Sequence, residues 1–166
     1  VNAVAVVGHR VHTFVFGTRL TNITRHLRQK DVDVAIEKVA ENVVDWAGGT
    51  RIGACLHDFN VTWARRVLGQ GAVVLLISDG LDRDNAEGLE SEVERLHKSC
   101  RRLIWLNPLL RYDGYQPKSL GAKALIPHVD DFRTVHNLES LRDLSEVLSR
   151  PAMRREEGMT TWRTGT

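Results

Sequence analysis

A chain of 166 residues suits one domain with a core of ordinary size and leaves little room for a second. With 42% hydrophobic and 27% charged residues the composition is that of a globular protein, and a net charge of +2 is too small to imply a nucleic-acid or membrane partner by itself. The two cysteines, Cys55 and Cys100, lack metal-ligand spacing and read as reduced thiols of a cytosolic protein. No apolar run approaches the roughly 18 residues that span a bilayer.

In chain order, Val1–Val7 (VNAVAVV) is ambiguous between a short strand and the end of a helix, and Gly8, His9 and Arg10 break it. Val11–Phe16 (VHTFVF) is β-branched and aromatic, stops at Gly17, and predicts a strand. Gly17–Arg28 reads as loop with a short helical turn. Asp31 is placed to cap a helix whose inner stripe is Val32, Ile36, Val39, Val43 and Trp46 or Ala47, ending at Gly48-Gly49. Thr50 is read as the cap of the next helix, with Ile52, Cys55, Leu56 and Phe59 inside, and Trp63 and Val67 suggest a further helical piece.

The chain is organised around Ala72–Asp84, AVVLLISDGLDRD. Its unbroken apolar run predicts a strand buried on both faces. Ligands collect beyond the carboxyl ends of such strands, which makes Asp79 the first candidate functional residue. Asn85–Ser99 is an amphipathic helix with Leu89, Val93 and Leu96 inside; Leu103–Leu106 (LIWL) is a second buried strand. Leu109–Pro117 is an ordered loop carrying Arg111, Tyr112 and Tyr115, residue types common at interfaces. Ser119–Leu125 predicts a short helix, Phe132–Val135 a last strand, and Asn137 a cap for a final helix with the stripe Leu138, Leu141, Leu144 and Leu148. The expected organisation is one domain over residues 1–150 and a flexible tail over 151–166. Strands alternating with helices give an α/β layered sheet with parallel pairing.

Two features stand out for chemistry. Gly48-Gly49-Thr50 puts a hydroxyl at a helix start, and Ser78-Asp79-Gly80 puts a carboxylate at a strand end. Hard oxygen donors of this kind suit Mg²⁺ or Mn²⁺. Taken singly, Thr is a common helix cap and Asp-Gly a common turn. Asp82 and Asp84 read more simply as acids at a helix start than as further ligands. Arg65-Arg66 and Arg101-Arg102 read as solvated edges. Neither a Gly-x-Ser-x-Gly elbow nor a phosphate-binding Gly loop occurs.

GGTRIGACL, VVLLISDGLDR, RRLIWLNPLLRYDGY and IPHVDDFRTVHNLESL together resemble the CoxE-like group of von Willebrand factor A (VWA) domain proteins, over Val11 to about Leu148. The resemblance implies a three-layer, Rossmann-like VWA fold, with a mostly parallel central sheet and helices on both faces. It also implies a metal-ion-dependent adhesion site at the upper sheet edge, built from an Asp-x-Ser-x-Ser segment, a Thr and an Asp. Thr50 matches the second and Asp79 the third. No Asp-x-Ser-x-Ser occurs in the chain, and its family position lies before Val1. The family register makes Val1–His9 the end of a helix, although folding of Val1–Val7 as a substitute strand is the alternative. The expected cofactor is Mg²⁺ (or Mn²⁺) in the complete domain, bound weakly or not at all by this chain. The expected role is a non-catalytic, cytoplasmic, bacterial interaction module acting with a MoxR-type AAA+ ATPase in maturing a metalloenzyme client of the carbon monoxide dehydrogenase type. The competing reading is a Mg²⁺-dependent hydrolase or phosphotransferase using Asp79, Asp82 and Asp84.

Overall fold

The computed structural model describes residues 2–43 and 48–149. Six strands form a single sheet: β1 (Asn2–Val7), β2 (Val11–Phe16), β3 (Leu20–Asn22), β4 (Val73–Ile77), β5 (Arg102–Leu106) and β6 (Asp131–Arg133), in the spatial order β3-β2-β1-β4-β5-β6. The β4-β5 and β5-β6 ladders are parallel, whereas β1 is antiparallel to both neighbours and β3 to β2. Four of the six strands (β2, β4, β5 and β6) therefore run the same way.

The helices are α1 (Val32–Asn42), α2 (Ile52–Asp58), α3 (Ala64–Val67), α4 (Leu89–Ser99), α5 (Leu120–Leu125) and α6 (Leu138–Ser149). A π-helical turn over Phe59–Trp63 joins α2 to α3. Alternation along β4 divides its side chains between two layers. Val74 and Leu76 enter the main core with Ile52, Phe59, Val93, Leu96 and Trp105, under α2, α4 and α5. Val73 and Leu75 face Leu144 and Val147 of α6. Val39 of α1 and Val43 just beyond it cover Ala3, Val15 and Ile23. Helices thus cover both faces of an α/β sheet, and β4 is buried as its apolar run requires.

The helical reading of Val1–Val7 is corrected by β1. Val4 and Val6 enter the main core, while Ala3 packs on the opposite face, a period of two that a helix cannot produce. Placed between β2 and β4, this segment also pairs the donors and acceptors that both strands would otherwise leave open. A three-residue connection (Gly8, His9, Arg10) closes the β1-β2 hairpin, with Val7 opposite Val11. Because β1 runs against β4, Asn2 arrives at the carboxyl end of β4.

Two amphipathic stripes are also rotated from expectation. Asp31 caps α1 through the Asp33 and Val34 amides, but Val32 is 68% and Ile36 61% exposed, and Ala35 is the residue buried within the helix. In α6, Leu138 and Leu141 are exposed and Val147 joins Leu144 inside. Both helices lie over the smaller layer, which is only wide enough to bury part of each stripe. The last strand spans Asp131–Arg133 rather than Phe132–Val135 because Asp131 is drawn in: 2% exposed, it accepts from Arg102 Nε at 2.6 Å across the β5-β6 edge. Trp46, Ala47 and the 151–166 tail lie outside the described residues.

Candidate functional site

At the carboxyl end of β4 the chain turns sharply, and three loops are tied to that turn. Gly80 adopts φ +77°, and a Cβ there would stand 2.9 Å from the Trp105 ring, so glycine is required on both counts. Trp105 Nε1 donates to Ser78 O at 2.9 Å, and Ser78 Oγ accepts from Gly80 N at 3.1 Å. Ser119 Oγ donates to Gly80 O at 2.9 Å while capping α5 by accepting from Ala122 N. Gly121 lies so close to Gly80 O that a side chain there would collide with it. The result is a rigid platform from which Asp79 emerges.

Asp79 is half-buried and accepts from Leu81 N through Oδ1 at 3.0 Å, a local turn that leaves Oδ2 without a hydrogen bond among the described residues. Its carbonyl is reached at 3.5 Å by Asn107 Nδ2, which also donates to the Tyr115 hydroxyl at 3.1 Å. Thr50 is a loop residue in the preceding segment. Its hydroxyl does not cap α2: Arg51 holds the cap position and no side chain of its own closes it. Instead Thr50 Oγ1 accepts from Asn2 Nδ2 at 2.8 Å, a contact made possible by the reversed direction of β1.

Asp82 does the capping. Its Oδ1 accepts from Ile52 N at 2.6 Å and its Oδ2 from Ala86 N at 2.8 Å, joining the start of α2 to the loop before α4. Arg83 reinforces the same junction: its amide donates to Thr50 O at 2.7 Å and its Nη1 to Gly48 O at 2.5 Å. Asp84 sits 3.7 Å from Arg51 in an exposed ion pair. Asp82 is thus a structural carboxylate rather than a solvated acid at the start of the following helix: it caps a helix 30 residues upstream. Asn2 and Asn107 have no counterpart in the sequence reading. Asn107 follows LIWL directly and could have been noticed as a polar residue at a strand end; Asn2 offered no such signal.

The donor set can be tested against a divalent ion. Mg²⁺ prefers six near-octahedral oxygens and dehydrates reluctantly. Here Asp82 has both oxygens committed to backbone amides, and Thr50 is engaged by Asn2. No group of three or more His, Cys, Asp or Glu that could hold a metal occurs among the described residues. Thr50 and Asp79 do not amount to a tight cage.

Beside these loops, a cavity of about 550 Å³ opens between α2 and α4, lined by Gly53, His57, Arg83, Asp84, Asn85 and Glu92 among others. Glu92 accepts from His57 Nδ1 at 2.8 Å and from Asn60 Nδ2 at 2.9 Å. Burial pushes its carboxyl up, but the hydrogen bonds from Asn60 and His57 outweigh that and hold it below the usual value. Both thiols are disqualified as nucleophiles: burial, reinforced by Asp58 and Asp82 at Cys55 and by Asp130 at Cys100, pushes each up to about 12.

A largely co-directional α/β sheet covered by helices on both faces is the architecture of the VWA class. A family model described as "VWA domain containing CoxE-like protein" matches residues 1–141. The chain belongs to that family. Comparison with the curated proteins and with the solved structures gave no match. No helix among the described residues is long and apolar enough to cross a membrane.

Proposed function

We propose that this chain is a non-catalytic protein-interaction module that meets its partner at the Asp79 edge. The observation carrying this reading is the half-buried Asp79 carboxylate, with one oxygen uncommitted, on a platform held by Gly80, Trp105 and Ser119. Leu81 at 56% and Leu120 at 56% exposure lie on the segments tied to it, and the loop after β5 carries Tyr112 at 53% exposure with Arg111 4.6 Å over its ring, Tyr and Arg being residue types that dominate interface energetics. A rigid acid with apolar residues nearby suits recognition better than turnover, because the neighbouring Asp82 is already committed to two amides and Asp84 faces the Arg51 cation. That commitment also counts against a Mg²⁺-dependent hydrolase or phosphotransferase.

Membership of the CoxE-like family supports the finer assignment: a cytoplasmic partner of a MoxR-type AAA+ ATPase, serving the maturation of a metalloenzyme client. For Mg²⁺ or Mn²⁺ we assign Thr50 and Asp79 as the side-chain donors, and two donors imply weak binding of an ion that dehydrates reluctantly. A purified MoxR-type ATPase titrated against the immobilised chain tests the assignment. Saturable binding lost in Asp79→Ala supports it; binding that Asp79→Ala leaves intact removes it.

A further inference from the structure

At the end of the sheet opposite Asp79, a second cavity of about 450 Å³ is lined by His12, Arg25, His26, Arg28, Trp63 and Arg66, with Asn22, Thr24 and Val67 completing the wall. Its location follows from the strand registers. His12 pairs with Val6 next to the β1-β2 turn, Thr13 N donates to Thr24 Oγ1 at 3.0 Å, and α3 delivers Arg66 shortly before β4 begins. Three segments distant in sequence therefore converge there.

The charge balance of this cavity is unlike that of the chain. Overall, 23 Lys and Arg nearly balance 21 Asp and Glu, yet among the described residues no carboxylate lines the cavity. Among the described residues, none of its three arginines or two histidines lies within 4.0 Å of an acid in an ion pair. Among the described residues the only arginines with such an acid are Arg51, Arg102 and Arg133, so what sets Arg25, Arg28 and Arg66 apart is their gathering in one concavity. Uncompensated like charges gathered in one concavity repel one another, and a bound anion relieves that cost.

We infer that this cavity binds a phosphate-bearing small molecule, with Arg25, Arg28 and Arg66 as its phosphoryl ligands. Guanidinium groups match phosphate oxygens two at a time, and a phosphoryl group offers three such oxygens and nearly two negative charges where a carboxylate offers two and one. The volume lies within the range of small-ligand pockets and exceeds what inorganic phosphate fills. Trp63, half-buried and packed edge-on to Phe14 at 5.2 Å, has the Arg66 guanidinium 6.0 Å over its ring, which sets Arg66 beside an aromatic wall for the organic part of the ligand. The site is independent of the Asp79 edge.

The test is titration of the full chain with adenosine monophosphate, inorganic phosphate and adenosine, followed by NMR amide and indole shifts. The exposed arginines can be replaced without unfolding the chain, since surface substitutions change stability little. The expected result is saturable binding of the monophosphate, weaker binding of phosphate and none of adenosine. Arg66→Ala and Arg25→Ala should each weaken the monophosphate roughly tenfold, the loss of one charge-assisted contact, and Asp79→Ala should leave it unchanged. Failure of the monophosphate to saturate by about 10 mM, far weaker than ordinary ligand affinities, would overturn the inference. So would affinity indifferent to both arginine replacements. A hexaglutamate peptide binding as tightly as the monophosphate would overturn it too, by making the cavity a surface for acidic protein segments.

Discussion

At the carboxyl end of β4, Asp82 gives both oxygens to backbone amides, Arg83 donates to Gly48 and Arg51 meets Asp84. At the opposite end of the sheet, Arg25, Arg28 and Arg66 meet no acid among the described residues. The first end uses most of its polar groups to fix loop geometry, while Asp79 keeps an oxygen free. The second end gathers its cations without an acid among the described residues, Arg66 resting over the Trp63 ring. A charge that is structurally spent holds shape and should cost stability when removed. A charge left open should cost binding and little else.

The largest expected effect lies at the rigid end. Gly80→Ala forces a Cβ to 2.9 Å from Trp105 at φ +77°, and it should destabilise the fold by about 3 kcal/mol in denaturant unfolding, combining overpacking with left-handed strain. Asp82→Ala strips the Ile52 and Ala86 amides of their acceptor and should cost about 2 kcal/mol by the same measurement. A near-neutral result would show that water replaces both contacts and that the loops are not held by this carboxylate. By contrast, Asp79→Ala removes one local hydrogen bond, to Leu81, and should change stability by less than about 1 kcal/mol.

A smaller effect is set by pH. Glu92 is held below its usual value in the folded state, so its contribution is present above pH 4.5, the ordinary value, and is lost as pH falls through the folded one. Acid unfolding of Glu92→Gln should accordingly be less steep below pH 4.5 than that of the parent chain. Identical acid profiles would show that the hydrogen bonds from His57 and Asn60 to Glu92 do not bias its protonation.

Much of the fold was legible because its signals are local. The run Ala72–Ile77 predicts a doubly buried strand and is one; Leu89, Val93 and Leu96 are all fully buried; Asp31 and Asn137 cap the helices they precede. What failed depends on distant partners. Nothing within VNAVAVV says that it will lie between two strands, and family register pointed to a helix. Val32, Ile36, Leu138 and Leu141 keep helical spacing but meet too narrow a layer to be buried. The role of Asp82 rests on an amide 30 residues away. The Arg25–Arg28 run is visible in the sequence, whereas its convergence with Arg66 is a product of topology, which is why Arg65-Arg66 reads as a solvated edge.

The claim at the centre of this account is that Asp79 is the interacting carboxylate and Asp82 the structural one. The direct measurement is the affinity of a purified MoxR-type ATPase for the parent chain and for Asp79→Ala, with thermal unfolding recorded on the same samples. The account predicts a loss of roughly thirtyfold in affinity, the cost of an interface hot spot, at an unchanged unfolding temperature. Equal affinity for the two chains would contradict it.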